Sequence, residues 1–496
     1  FFKMYYIGYD IGSSSVKIAL VDAESQKALH IINEPQTEMP IKAIQLGWAE
    51  QNPLLWWKHI CEGTKRIIAE AKIDSKKIKA IGISYQMHGL VVLDKEKKLL
   101  RDSIIWCDSR AVSIGEKAAE DLGETKYGTQ LLNAPGNFTA SKLKWVKENE
   151  PSLYDQIAYY MLPGDYIAFQ LSGEIATTTN SLSEGTLWDF KHNEVANWLL
   201  EYYGIDPALT PTLVDNFSDQ CSVSKSGADA TGLPIDIPIR YRAGDQPNNA
   251  LALNILQPGE VAATGGTSGV LFAVTDQPNA QEYHKYNHFA HVNYTIDEPR
   301  LGKLLCINGA GIQYSWLRKI TQENEFSEMN SLANTAPIGC DGLVNLSFGN
   351  GAERMFNNKN IGAHLMHLNL NKHSRGHLYR AALEGVAFAF FYGLEIMIKD
   401  GLPINIIRAG NDNLFRSELF SNTLATLVGH EIEIYDTTGA VGAARAAGIE
   451  QGKFEDFQER TNSLDRETTF SPEHQKEPYL EAYASWKDTL QKIINQ

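Results

Sequence analysis

The chain has 496 residues, of which 43% are hydrophobic, with a formal net charge of −15. That length exceeds one typical core and predicts two domains of about 250 residues each. The acidic balance, with no basic run, excludes a general nucleic-acid binder. Cys61, Cys107, Cys221, Cys306 and Cys340 are widely spaced with no CxxC pair, which argues against a disulfide scaffold or structural zinc and for reduced core thiols. The start, residues 1–7, lacks the layout of a secretory leader, and the longest apolar stretch, 381–398, is broken by Glu384 and Glu395. The expectation is a cytoplasmic protein with no membrane partner.

In chain order, the first element is an apolar strand running into Asp10-Ile11-Gly12-Ser13-Ser14-Ser15, followed directly by a second strand at 16–21. Glycine lets a ligand approach the backbone, and free N–H groups beside hydroxyls suit phosphate oxygens. The following strand excludes the strand–loop–helix context of the Walker and Rossmann motifs. Asn52 and Pro53 then predict a capped helix through Trp56, Ile60 and Ile67. A strand at 78–84 ends in Gln86-Met87-His88-Gly89, and strands at 90–93 and 104–106 lead to Asp108. Strand ends are where α/β folds place chemistry. Residues 206–238 are proline-rich and irregular and read as a boundary or a wandering lobe.

The second half repeats the grammar. A strand ends in Thr264-Gly265-Gly266-Thr267-Ser268-Gly269 and another strand follows at once. Helices are expected near 312–320 and over 377–400, the latter stopped by Gly401 and Pro403. A strand at 404–408 leads to Gly410-Asn411-Asp412-Asn413, then a helix closed by Gly429, a strand at 431–435 and a small-residue helix over 439–448.

Asp10 beside a phosphate-type turn makes chemical sense with a cation between them, and Mg²⁺ favours such oxygen-rich, hydrated sites; a plain turn-capping Asp is the other reading. Asp245, between a strand and a helix, is either an N-cap or a base for a substrate hydroxyl. Met87 and His88 could line a small polar pocket, with Asp108 as a turn former or hydroxyl anchor. Two phosphate turns with two such carboxylates make a phosphoryl-transfer cleft, and the Met87-His88 pocket argues for a hydroxylated acceptor.

These residues resemble the FGGY carbohydrate kinases, within the actin/hexokinase/Hsp70-like architecture. Asp10 to Ser14 resembles the family's first phosphate motif, and Gly266-Thr267-Ser268-Gly269 its second. Asn137 to Val146 resembles one family signature, and His377 to Gly385 the other. The resemblance implies two α/β ribonuclease H-like domains around a cleft, expected at 4–242 for the sugar and 243–496 mainly for ATP. It implies Asp245 as catalytic base, with Met87, His88, Asp108 and Gln246 beside the sugar. Gly12, Ser13, Ser14, Gly266, Thr267, Gly410 and Asn413 are expected around ATP, and Asp10 with Asp245 around a hydrated Mg²⁺.

The loop Gln86-Met87-His88-Gly89 resembles the branch that phosphorylates ketopentoses such as D-xylulose. Sibling activities on ribulose, deoxy-ketoses, gluconate or glycerol, a non-catalytic sugar binder and an ATP-driven chaperone are the rival expectations. Family habit makes a homodimer an expectation too. Gln246-Pro247, Asn137, Met355 and Asn411-Asp412 depart from the family pattern and touch the sugar and base pockets.

Overall fold

Two sheets organise the protein, one in each half. The computed structural model describes residues 3–278, 284–411 and 413–496. In the first half β1 (Tyr5–Ile11), β2 (Val16–Asp22) and β3 (Ala28–Glu34) form an antiparallel meander. β4 (Ile78–Tyr85), β5 (Cys221–Ser222) and β6 (Pro238–Gly244) complete a six-stranded sheet in the order β5-β6-β4-β1-β2-β3. β4 runs parallel to both β1 and β6.

The second half contains β7 (Glu260–Gly265), β8 (Gly269–Thr275), β9 (Asn287–Ala290), β10 (Leu301–Ile307), β11 (Ile406–Gly410), β12 (Ile432–Tyr435) and β13 (Arg466–Phe470). Their order is β9-β10-β8-β7-β11-β12-β13. β7 is antiparallel to β8 and parallel to β11, so the arrangement of a meander plus parallel strands occurs twice. This is the ribonuclease H-like plan, duplicated.

The central strands are almost continuously apolar because helices cover both faces. One of these, Pro53–Ala71, starts at the Asn52 cap with proline in its first turn and buries Trp56, Ile60 and Ile67. The helix Arg375–Lys399 is long and apolar enough, by length and composition, to cross a membrane, but 72% of its apolar window is buried in the core of the second half.

Two boundaries differ from the sequence expectation. The proline-rich stretch is an edge of the first sheet, because Cys221 and Ser222 pair with Ile239 and Pro238. The strand β6, divided by the expected split at 242/243, lies wholly in that same sheet, and the second sheet starts at Glu260. Period and proline content carry no information about which sheet an edge strand joins.

The halves are docked through a helix that crosses over. Helix Gly439–Ala446 follows β12 but packs on the first sheet. A Cβ on Gly82 would lie 1.9 Å from the Ala443 carbonyl oxygen, so only glycine permits this approach. The small-residue run of the sequence is therefore an interdomain seam.

Candidate active site

Asp10 is the last residue but one of β1, where the chain turns back through Gly12–Ser15 into β2. The Gly12 N–H donates to the Ser15 carbonyl at 3.0 Å, which closes the hairpin. Ser84 Oγ, on neighbouring β4, donates to Asp10 Oδ1 at 2.8 Å. Asp245 occupies the first turn of helix Asp245–Ala252, immediately after β6. Burial, then the charge of Asp10, pushes the Asp245 carboxyl up to about 7, against the pull of the Gln246 and Asp245 backbone N–H groups. Asp10 is raised as well, mainly by burial, with Ser84 and Lys17 working against it.

Two mutually repelling carboxylates at one cleft form an oxygen donor set that suits a hydrated divalent cation. Helix Gly439–Ala446 begins beside them: a Cβ on Gly439 would lie 2.6 Å from Asp10 Oδ2 and 2.9 Å from Asn249 Oδ1. The positive end of that helix favours negative charge here. Asn248 Nδ2 donates to the Gly439 carbonyl at 2.9 Å and ties the two helices together.

The loop after β4 forms the second part. Met87 is buried against the Gly244 backbone, where an added Cβ would meet its Cγ at 2.5 Å. The His88 ring lies edge-on to Phe138 at 4.8 Å and near Phe289 of the second half at 5.2 Å. Burial, then Lys142, lowers the His88 pKa to about 3. Lys142, in the first signature, donates to the carbonyls of His88 at 2.8 Å and Ile105 at 3.0 Å. That signature thus braces the loop after β4. Gln51 links the same loop to the first turn, because its Nε2 donates to Ser13 O at 2.6 Å and its Oε1 accepts from Gln86 at 3.2 Å.

Asp108, expected as a hydroxyl anchor, has its carboxylate occupied. Oδ2 accepts from Ala49 N at 2.6 Å and Arg110 Nη2 at 2.7 Å, and Oδ1 accepts from the Arg110 backbone at 2.9 Å. A carboxylate buried in this way is paired because an unpaired one is costly, so Asp108 orients Arg110 between Trp48 and Trp145. Gln246 stays partly exposed beside Asp245. Glu184, absent from the sequence reading, reaches the His88 loop from helix Thr179–Glu184. It stood in a run of threonine and serine with no periodic signal.

The third part is the turn between β7 and β8. Thr267 is exposed and Gly266 half-buried, and their carbonyls accept from Gly311 and Ile312, each at 3.1 Å, at the start of helix Ala310–Thr321. A cavity opens beside them, lined among others by Tyr314, Ser315, Phe326, Asn330, Leu414 and Ser417. Leu383, from the second signature, completes its floor. Tyr314 and Phe326 are stacked, with centroids 5.7 Å apart. A cavity with aromatic and polar lining next to a glycine-rich turn has the form of a nucleotide site.

The first turn, with Gly12 and Ser13 half-buried and Ser14 exposed, is carried by the other sheet. Gly410 ends β11, but the lining from its loop comes from Leu414 and Ser417. Asn413 opens the turn Asn413–Arg416, and its side chain, like Asp412, lies outside the described residues. Aromatic lining by Tyr314 and Phe326 reads in a sequence as ordinary helix core, so nothing distinguished it there.

A sequence profile for the N-terminal domain of the FGGY family of carbohydrate kinases matches residues 5–252, and that for the C-terminal domain matches residues 261–450. The chain is 28% identical to the xylulose kinase of Bacillus subtilis over 486 residues, covering 95% of this chain and 93% of that protein. It is 26% identical to the xylulose kinase of Escherichia coli, with 99% of each covered. The crystal structure of xylulose kinase from Rhodospirillum rubrum has the same fold, with a TM-score of 0.89 at 24% identity, over 99% of this chain and 100% of that one.

Proposed function

This chain belongs to the FGGY family of carbohydrate kinases and is an ATP-dependent sugar kinase, and we propose that its acceptor is D-xylulose, phosphorylated at the terminal 5-hydroxyl. The observation that carries the reading is Asp245: a carboxyl that burial and the charge of Asp10 push up to about 7, at the start of the helix that follows β6 and beside the Met87-His88 loop. A base with a pKa near the working pH is matched to accepting a hydroxyl proton.

ATP would place its adenine side in the cavity beside Tyr314 and its phosphates at the turn carrying Gly266 and Thr267, with Gly12, Ser13 and Ser14 facing from the first sheet. The sugar oxygen forms the new bond to the γ-phosphorus, the bond to ADP breaks, and the hydroxyl proton passes to Asp245. In a loose transition state that proton moves late, so Asp245 acts chiefly by orientation and electrostatics. Asp10 and Asp245 would hold Mg²⁺ through water, which when bound supplies positive charge to the phosphate oxygens. Contact between His88 and Phe289 spans the two halves, and such closure excludes the water that would otherwise hydrolyse ATP.

Five free thiols fit a reducing, cytoplasmic setting. Each chain carries both halves of the site, so a homodimer would pair complete sites. The test is a panel of purified protein, ATP and Mg²⁺ with D-xylulose, D-ribulose, gluconate and glycerol. D-Xylulose should give a kcat/KM at least ten times that of any other. A higher value for another member would reassign the acceptor, and no turnover with any would refute the reading.

A further inference from the structure

Glu184 grips His88 twice. Its Oε2 accepts the His88 backbone N–H at 3.0 Å, and its main-chain carbonyl lies 2.8 Å from His88 Nδ1. A carbonyl oxygen only accepts, so Nδ1 carries the hydrogen. With its pKa lowered to about 3, the ring is neutral and holds a single N–H. Nε2 is therefore a bare acceptor.

The grip has a backbone purpose as well. His88 has φ of 62°, the left-handed region, which a residue with a side chain occupies only when its surroundings hold it there. Glu184 Oε2 holds the N–H end of the residue and Lys142 Nζ holds its carbonyl end at 2.8 Å. Phe138 and Phe289 pack against the ring, and the Glu184 side chain is only 2% exposed. Its second oxygen, Oε1, lies where a Cβ on Gly244 would approach within 3.2 Å, so the carboxyl is built into the wall next to Asp245.

We propose that Glu184 is a positioning residue that sets sugar selection: it fixes His88 so that Nε2 can accept a hydrogen bond from a sugar hydroxyl, and cannot bond a sugar carbonyl. The inference rests on the sugar-kinase reading for its ligand, while the tautomer is a property of the free protein. A substrate lacking that hydroxyl leaves Nε2 without a donor, and one with a carbonyl there sets two acceptors against each other. Sites built to bond a hydroxyl reject analogues lacking it far more strongly than apolar pockets reject a missing methylene. Burial raises the Glu184 carboxyl well above the usual carboxylate range, so glutamine is a close mimic of its neutral form.

The test joins a spectroscopic and a kinetic readout. Imidazole ¹⁵N spectra of the full-length protein, with His88 assigned by difference from His88→Gln, should show Nδ1 protonated and Nε2 unprotonated from pH 6 to 8. Glu184→Ala should raise the KM for D-xylulose by about 10- to 100-fold and leave the KM for ATP within twofold. Glu184→Gln should return the sugar KM to within about threefold of the parent. Singly deoxygenated D-xylulose analogues should include one whose kcat/KM falls at least a hundredfold in the parent enzyme and much less in His88→Gln. An Nε2-protonated His88, an unchanged sugar KM in Glu184→Ala, or equal rises for both substrates would overturn the proposal. Should Glu184→Ala fail to fold, the tautomer and the deoxy analogues decide. A correct tautomer in a protein that phosphorylates no ketopentose would refute the D-xylulose reading and leave the His88 geometry standing.

Discussion

Asp245→Asn should cost the enzyme its turnover and make the fold more stable. The carboxyl is held at about 7 against an ordinary 3.8, so folding opposes its ionised form. At 1.36 kcal/mol per pKa unit, that difference corresponds to about 4 kcal/mol. Asp245 is partly exposed, and water screens a share of this, leaving an expected gain of about 1–3 kcal/mol at pH 8 without divalent cation. The sign follows from proton binding. Between pH 4 and 7 the folded state holds a proton that the unfolded chain has released, so the wild type loses stability as pH rises through that window. Asparagine has no such proton, and its advantage should be full at pH 8 and about half gone near pH 5.5.

For a 250-residue domain the gain amounts to about 2–6 °C in Tm, read by calorimetry across that pH range. Added Mg²⁺ should raise the Tm of the wild type more than that of the variant. The same substitution should lower kcat by about 10²- to 10⁴-fold while ATP still binds. A variant equal to or less stable than the wild type at pH 8, or a gain indifferent to pH, would refute the electrostatic argument. Near-normal turnover would remove Asp245 from the base role.

His88→Ala should raise the KM for the sugar at least tenfold with little change for ATP; steady-state kinetics showing equal effects would assign His88 to folding instead. Tyr314→Ala opens the wall of the cavity beside Gly266 and Thr267 and removes the stack on Phe326. It should weaken ADP binding about tenfold or more by calorimetric titration without moving sugar affinity. Gly82→Ala places a methyl group 1.9 Å from a backbone oxygen of the docked helix. It should cost about 1–3 kcal/mol in denaturant unfolding, and a neutral result would show that the seam yields easily.

Legibility in the sequence was uneven for physical reasons. The two hairpin turns were readable because glycine and hydroxyls between two apolar strands form a local pattern, and β1–β2 and β7–β8 carry them. The long helix Arg375–Lys399 and the Asn52 cap are equally local. What escaped depends on contacts far apart in the chain. Glu184 meets His88 across 96 residues, and Gln51 reaches Ser13 across 38. The small-residue run of helix Gly439–Ala446 is local, but only the fold shows Gly8 and Gly82 receiving it. Asp108 stood at a strand end as a free anchor would, but Arg110, two residues on, folds back and takes its oxygens. The aromatic wall of Tyr314 and Phe326 is chemically the same as core, and becomes a site only by standing next to the turn of Gly266 and Thr267.

In the function proposed here, the cleft moves the γ-phosphoryl group of ATP to the terminal hydroxyl of D-xylulose. Phosphorus NMR of a reaction of the purified protein with ATP, Mg²⁺ and D-xylulose tests it directly. One phosphomonoester resonance, coupled to the protons of the terminal carbon, should grow in step with ADP. Release of inorganic phosphate alone, or a phosphate coupled to a different carbon, would contradict it.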